Sequence, residues 1–379
     1  MKVAQATIEK GLTLRRFNDG DGVGTGSPTG NYDKDVVQYG RSDSCPVYVH
    51  RTPSCQGCCP SGHDIRGWLS IVRGLDKNAG DSPWQERAFR RAVKSNPFPS
   101  VMGRVCPAPC EDGCNRNDVE ETVGINAVEQ YIGDWALKNN LSFPEPGVDS
   151  GKKVAIVGGG CAGLTAAFFL RQKGHACTIF DAYDRLGGMM VFGIPGYRTP
   201  REVLDGEINR IIDMGVAVKL NTRVGSDVSV AELERDFDCV FWGIGATSGR
   251  ALSIPGGDAP NCVDGISYLR AYNEGRLKYL EGRVLVIGAG DTAMDVVAVA
   301  RRIGNIKNIP VKDKPENVIL GHTVHDVVSV AKRQGGDVWV VYRRPIAKAP
   351  ATKHELESVI REGVEIHDSL APMEVIKDD

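Results

Sequence analysis

Two apolar segments that turn through closely spaced glycines into a helix constrain this chain more than anything else in it. Val154-Ala155-Ile156-Val157 runs into Gly158-Gly159-Gly160-Cys161-Ala162-Gly163, and Val284-Leu285-Val286-Ile287 runs into Gly288-Ala289-Gly290-Asp291-Thr292-Ala293. In a strand–turn–helix unit of this kind the first glycine permits the tight turn. The second lets the backbone approach a pyrophosphate, and the third position keeps the helix close to the strand. The helix start then offers unpaired N–H groups to phosphate oxygens. Val154–Val157, Cys177–Phe180, Val216–Leu220 and Cys239–Trp242 read as short buried strands and Val338–Tyr342 as a later strand, separated by helical patterns. Alternating strands and helices imply a parallel sheet with helices on both faces, and the two restarts imply two nucleotide-binding units. A glycine turn that serves only packing is the alternative reading of each segment.

Acid and base at the strand ends separate the two units. Asp181 closes the second strand of the first unit, 18 residues after Gly163, where a carboxylate would accept from ribose hydroxyls. The matching strand of the second unit ends in Tyr342-Arg343-Arg344. Arginines there would pair with a 2′-phosphate through bidentate, charge-assisted bonds; stacking on adenine or solvation is the alternative. Gly288 lies 54 residues before Tyr342, so an insertion is expected near residues 305–334. Ser82-Pro83-Trp84-Gln85 and Thr199-Pro200-Arg201-Glu202 read as capping boxes, the first opening a helix over 83–94. A further helix begins near Gly124, with Ile125, Val128, Ile132 and Trp135 at helical spacing.

Seven of the eleven cysteines fall between Cys45 and Cys114. Cys55, Cys58 and Cys59 form one dense group, and Cys106, Cys110 and Cys114 form another at C-x3-C-x3-C spacing. Clustered thiols in a long chain point to metal or redox chemistry. That spacing suits iron–sulfur clusters better than the paired C-x2-C groups of zinc, while zinc or a dithiol stays open on composition alone. Cys161, Cys177, Cys239 and Cys262 are scattered singly and read as packing residues. His63, His175 and the other five histidines show no ligand pair or triad and read as structural.

Residues 1–44 read as an extended arm, residues 45–147 as a small α-helical domain that ends in the linker Phe143-Pro144-Glu145-Pro146-Gly147. Residues 148–280 and 281–379 form the two α/β units. A net charge of −2 supplies no basic field for nucleic acid. No apolar run of about 18 residues is present to span a membrane. Met1 to Arg16 lacks an apolar signal core, and a cytoplasmic protein is expected.

Several of these segments resemble the glutamate synthase small-subunit family of NAD(P)H:acceptor flavoproteins. Asp181 to Pro200, with Arg185-Leu186-Gly187-Gly188-Met189-Met190 and Gly193-Ile194-Pro195, is similar to that family's FAD-binding segment. Phe241-Trp242-Gly243-Ile244-Gly245-Ala246 is similar to its strand and A-T-G turn over the flavin, with Gly243 and Ile244 in place of Ala and Thr. Tyr342-Arg343-Arg344 matches its NADPH-reading segment. Asn96-Pro97-Phe98-Pro99-Ser100-Val101-Met102-Gly103-Arg104-Val105-Cys106-Pro107 resembles a segment of the two-cluster domain shared with dihydropyrimidine dehydrogenase, with Met102 at a usual cysteine position.

The resemblance implies an N-terminal iron–sulfur domain, then Rossmann-like FAD and NAD(P) domains. It implies FAD on Gly158, Gly160, Cys161, Ala162, Gly163, Asp181, Ala182, Gly187, Gly188, Met189, Gly193, Ile194, Gly245 and Ala246. NAD(P)H would sit on Gly288, Ala289, Gly290, Asp291, Thr292, Ala293, Arg343 and Arg344. Two [4Fe-4S] clusters are implied, one on Cys59, Cys106, Cys110 and Glu129, the other on Cys45, Cys55, Cys58 and Cys114. Hydride would pass from NAD(P)H to FAD and single electrons through the clusters to a redox protein: a ferredoxin, a glutamate synthase large subunit or a dissimilatory sulfite reductase. The insertion and the altered first cysteine group are similar to the NADH oxidoreductases linked to the last of these. No catalytic acid or base is needed, and a homodimer stands among the expected assemblies. Family members return after the NAD(P) domain to complete the FAD domain. No such segment occurs before Asp379, which implies a piece of a longer protein with weakened flavin retention. A non-catalytic nucleotide-binding assembly subunit with a zinc-bound N-terminal domain is the alternative.

Overall fold

The computed structural model describes residues 52–76, 81–119, 122–277, 280, 283–303 and 337–376. The arm expected over 1–44, Cys45 and the insertion expected near 305–334 lie outside them. The chain forms two compact units that part between Phe143 and Pro144.

The described part of the N-terminal unit is helical: α1 (Ser54–Cys58), α2 (Ile65–Val72), α3 (Trp84–Ala92), α4 (Pro99–Val105), α5 (Pro109–Asp112) and α6 (Ile125–Lys138). Its core is Ile65, Trp68, Phe89, Phe98, Val101 and Ile132, each no more than 1% exposed. Helices α4 and α6 cross with glycine against backbone on both sides. A Cβ on Gly103 would lie 2.4 Å from the Gln130 nitrogen, and one on Gly133 would lie 2.3 Å from the Ser100 nitrogen. Arg104 clamps the crossing through a bidentate pair with Asp134 at 2.7 and 2.8 Å. The inward face of α6 includes Ile125, Ile132 and Ala136, as apolar periodicity requires, but also Glu129.

Neither expected capping box forms. Pro83 and Pro200 are themselves the residues that precede the first turn, with ψ of 145° and 135°, and no side chain caps α3 or the later helix at Arg201. Proline's fixed φ suits that extended position as well as the first helical one. Side-chain caps occur instead at Asp64 on α2 and, in the second unit, at Ser229, Asp264 and Thr352.

The second unit holds two parallel sheets. The first contains β1 (Lys153–Val157), β2 (Ala176–Phe180), β3 (Ala217–Lys219) and β4 (Cys239–Trp242), in the order β3-β2-β1-β4. Its helices are α7 (Cys161–Gln172), α8 (Met189–Phe192), α9 (Arg201–Ile212) and α10 (Val230–Asp236). After α11 (Gly265–Asn273) come β5 (Val284–Ile287), α12 (Asp291–Ile303), β6 (Val338–Tyr342), α13 (Lys353–Arg361) and β7 (Glu365–Asp368), with sheet order β5-β6-β7. Val154 pairs with both Cys177 and Cys239, so the turn after β1 emerges between β2 and β4. Strands β3 and β4 were expected to be buried, but among the described residues each pairs on one side only and is largely exposed, and β5 is likewise exposed at a sheet edge. Trp242 is 49% exposed, Leu285 51% and Ile287 42%.

Candidate dinucleotide and iron–sulfur sites

The glycines of the first turn divide by what a side chain on them would strike. Gly158 has φ of +102°, and its Cβ would fall 2.4 Å from the Gly243 carbonyl oxygen. A Cβ on Gly163 would sit 1.9 Å from the Gly158 oxygen, so α7 lies directly on the turn. Gly187 donates its N–H to the Gly159 oxygen at 2.8 Å, and a Cβ on Gly188 would meet the Gly160 Cα at 2.8 Å. Gly160 and Gly245 differ. A Cβ on the first would touch only the Gly188 Cα at 3.7 Å, and one on the second would meet nothing within 4 Å. The interlocked glycines build a wall, and the open ones face a cradle bordered by the uncapped start of α7 at Cys161 and Ala162. That cradle fits a dinucleotide pyrophosphate.

Asp181 is 7% exposed and already engaged. Its Oδ2 accepts from the Gly159 N–H at 2.6 Å and its Oδ1 from the Tyr183 N–H at 2.9 Å. It therefore braces the glycine turn from β2, and each oxygen keeps one acceptor site for a ribose hydroxyl. Ala182 follows it directly, while Met189, Gly193 and Ile194 form and end α8. Cys161 and Cys239 are exposed rather than packed, because one begins α7 and the other starts an edge strand; Cys177 is buried and Cys262 half-buried.

In the second turn Gly288 has φ of +129°, and a Cβ on Gly290 would meet only the Pro350 ring at 3.7 Å. The segment 350–352 crosses this turn: the Ala351 N–H donates to the Ala289 oxygen and the Thr352 N–H to Asp291 Oδ1 at 3.3 Å. Thr292 and Ala293 continue into α12. Arg343 and Arg344 follow β6 and are exposed. Neither guanidinium is paired with a carboxylate among the described residues, which leaves both available to an anion.

A strap from Gly193 to Arg201, which sequence reasoning assigned only in part, ties the two sheets together. Arg201 donates to the carbonyls of Met190, Val191 and Ile194 at 2.8–2.9 Å and to Asn273 Oδ1 at 2.8 Å. Burial pushes its guanidinium down to about 10. Arg198 donates to Asp295 Oδ1 on α12 at 2.5 Å and to Glu355 on α13. Burial raises Asp295 to about 6 against the pull of Arg198. Arg302 lies over the Tyr197 ring at 4.3 Å and pairs with Glu362.

The cysteines separate into two neighbourhoods. Burial raises the Cys106 thiol, and the charges of Glu129, Cys59 and Glu111 raise it further, against a hydrogen bond from the Ala108 backbone. Burial and then Cys106, Glu111 and Cys59 push Cys110 up to about 12. Cys55 is raised by burial and by Cys114 and Cys58. Ala108 adopts φ of +55° ahead of Pro109, which turns the chain so that Cys110 comes back beside Cys106. Gly113 lies against Cys58, since a Cβ there would be 2.3 Å from its Sγ.

Glu129 is 6% exposed, and burial raises it to about 7 against a hydrogen bond from Asn96. Burial also lowers His63 to about 4, so it is neutral at pH 7; its Nδ1 lies 3.4 Å from Glu129 Oε1. His63, read as structural, thus lies beside a candidate ligand, and no spacing in the sequence signals it. Among the described residues no three His, Cys, Asp or Glu side chains converge tightly enough for a single metal ion. Cys59, Cys106 and Cys110 act on one another's thiols, with Glu129 acting on Cys106, and Cys55, Cys58 and Cys114 form a second neighbourhood, donor types that iron–sulfur clusters use.

Comparisons with known proteins agree with this division. Residues 40–141 match the family model for dihydropyrimidine dehydrogenase domain II, 4Fe-4S cluster, and residues 152–379 match that for pyridine nucleotide-disulphide oxidoreductase. The chain is 32% identical over 364 residues to the NADPH-Fe(3+) oxidoreductase subunit beta of Geobacter sulfurreducens, covering 92% of this chain and 48% of that protein. It is 32% identical to the NADP(+)-dependent formate dehydrogenase subunit beta of Moorella thermoacetica, covering 86% and 44%. It is 34% identical to the glutamate synthase [NADPH] small chain of Azospirillum brasilense, covering 70% and 56%. The chain therefore spans about half the length of these relatives. The two models imply FAD and NAD(P)H on the second unit and a [4Fe-4S] cluster on the first. With more than half of its residues under one model, the chain belongs to the pyridine nucleotide-disulphide oxidoreductase family and carries a 4Fe-4S domain ahead of it.

Proposed function

We propose that this chain is the FAD-, NAD(P)H- and iron–sulfur-binding part of an NAD(P)H:acceptor oxidoreductase. A flavin takes a two-electron hydride and releases single electrons, and an iron–sulfur cluster takes electrons one at a time. The strap carries the reading. Gly188, whose Cβ would meet the Gly160 Cα of the first turn, leads into α8 and the strap, and ten residues later in the same segment Arg198 reaches α12 and α13. The chain's own side chains thus hold the two dinucleotide turns in one frame, as ring-to-ring transfer requires.

Within that reading, Gly160, Cys161, Ala162, Gly188 and Gly245 receive the flavin dinucleotide, and Asp181 takes its ribose. Gly288, Gly290 and the start of α12 receive the nicotinamide dinucleotide. The unpaired charges of Arg343 and Arg344 favour a 2′-phosphate, hence NADPH. One cluster falls to Cys59, Cys106, Cys110 and Glu129. Cys55, Cys58 and Cys114 serve the second, with Cys45 as its fourth ligand. The acceptor is a redox protein; subunit names among the relatives support a companion subunit, with a ferredoxin or a sulfite reductase as other occupants of that role.

The test is anaerobic purification of the chain with added FAD, iron and sulfide, followed by NADPH titration. Flavin bands over a broad brown absorbance, bleached by near-stoichiometric NADPH, are expected. A chromophore that stays oxidised under excess NADPH and NADH, or a preparation without iron, overturns the reading.

A further inference from the structure

Asn96 opens the Asn-Pro segment ahead of α4, and its carboxamide is bonded at both ends. Its Oδ1 accepts from the Phe98 N–H at 2.9 Å, and its Nδ2 donates to Glu129 Oε1 at 2.8 Å. The reverse amide orientation would set donor against donor and acceptor against carboxylate, so the network fixes it. His63 Nδ1 lies 3.4 Å from the same Oε1. Both contacts thus converge on one oxygen of a carboxylate that is 6% exposed. Among the described residues both contacts fall on Oε1 and none on Oε2, so the second oxygen is left open to a ligand.

We propose that Asn96, assisted by His63, is a positioning residue that makes Glu129 a one-oxygen ligand, with Oε1 held by protein and Oε2 presented to the cluster. This rests on the assignment of Cys59, Cys106, Cys110 and Glu129 to one cluster. A hydrogen bond to the non-ligating oxygen restrains the carboxylate from chelating with both oxygens and withdraws electron density from it, which tunes a cluster's potential as other outer hydrogen bonds do.

The experiment compares wild type, Asn96→Asp, Asn96→Ala and Glu129→Ala as full chains reconstituted anaerobically. Each is read by iron content under chelator challenge, by the EPR spectrum of the reduced protein and by redox titration. Asn96→Asp keeps the acceptor for Phe98 and replaces the donor to Glu129 with a like charge, so it separates positioning from folding. Expected are a native circular dichroism spectrum, a shifted midpoint potential with a second EPR species for one cluster only, and a roughly 10- to 100-fold loss of iron affinity. Wild-type potential and EPR in both Asn96 variants, with Glu129→Ala altered, would sink the positioning role and spare the ligand assignment. Wild-type iron, EPR and potential in Glu129→Ala would sink both.

Discussion

Gly133→Ala tests whether the crossing of α4 and α6 builds the iron–sulfur site. On helix propensity alone the change should stabilise the protein by about 1 kcal/mol, because glycine in a helix interior is less favourable than alanine by that amount. The crossing opposes it. The added methyl would lie 2.3 Å from the Ser100 nitrogen, 2.6 Å from its Cα and 2.8 Å from its Cβ, whereas ordinary contact begins at 3.4 Å. The helices must separate by about 1 Å (3.4 minus 2.3), and two of the obstructing atoms are backbone, with no rotamer to yield. Overpacking of this kind costs about 1–3 kcal/mol, so the net effect is a loss of up to about 2 kcal/mol. Glu129 lies one turn before Gly133 and Cys106 directly follows α4, so the same displacement moves one candidate ligand away from another. Iron content and thermal midpoint should fall together. Gly103→Ala, whose methyl would meet the Gln130 nitrogen at 2.4 Å, opens the same crossing, and the double variant should lose less than the sum. Gly124→Ala, where the methyl would meet only the Ala127 Cβ at 3.7 Å, is the control. A Gly133→Ala protein that is more stable than wild type and retains its iron would refute the reasoning.

Gly163→Ala should abolish flavin retention while the helical unit stays folded, checked by bound flavin after gel filtration beside circular dichroism, because its methyl would sit 1.9 Å from the Gly158 oxygen. Arg343→Gln with Arg344→Gln should raise KM for NADPH by tenfold or more and leave NADH within a few-fold, measured by steady-state reduction of a dye, since only NADPH offers the phosphate those charges would hold. Asp295 is raised from 3.8 to about 6, so the folded state binds its proton more tightly than the unfolded chain does. Its contribution is fully present below pH 4 and is lost as the pH rises through 6, about 3 kcal/mol at most. Urea unfolding across pH 4–7 should show Asp295→Asn lacking that part of the slope, and an unchanged slope would remove the assignment.

Sequence reading reached furthest where a single residue type answers a backbone demand. The glycine turns, the strands that precede them and the division into helical and α/β units follow from local pattern, because a φ of +102° at Gly158 or a 1.9 Å approach at Gly163 leaves no other residue type. It failed where the outcome depended on what lies beside an element. Strands β3 and β4 read as buried yet stand at sheet edges among the described residues, and pairing on the second side is invisible along the chain. Pro83 and Pro200 could start a helix or precede it, and nothing local decides between the two. The ties of Arg198 to Asp295 and Glu355 span 97 and 157 residues, a separation at which charge pattern carries no register. Asn96 and His63 reach Glu129 across 33 and 66 positions and announce themselves by no spacing.

The thiol groups of the N-terminal unit set its energetics apart from those of the second. There, buried charge is balanced within the protein: Arg198 has two carboxylates, Arg302 has Glu362, and Arg201 has three carbonyls. Cys59, Cys106, Cys110 and Glu129 are all acceptors or acids; burial first, and then neighbouring charges, raise Cys106 and Cys110. Arg104 and Arg91, the basic residues of that unit's interior pairs, are committed to Asp134 and Asp64. Under the proposed ligand assignment the group can keep its protons or exchange them for a cationic iron centre. The exchange costs the release of those protons and returns metal–ligand free energy that the unfolded chain cannot collect, so the proposed assignment predicts that metal binding is coupled to this unit's folding. Chelation under reducing conditions should accordingly lower the thermal midpoint of the helical unit by ten degrees or so while leaving the α/β unit's own transition in place, resolved by calorimetry as two peaks of which only one moves. Two transitions that both stay fixed when iron is stripped would show that the helical unit's stability owes nothing to its cluster.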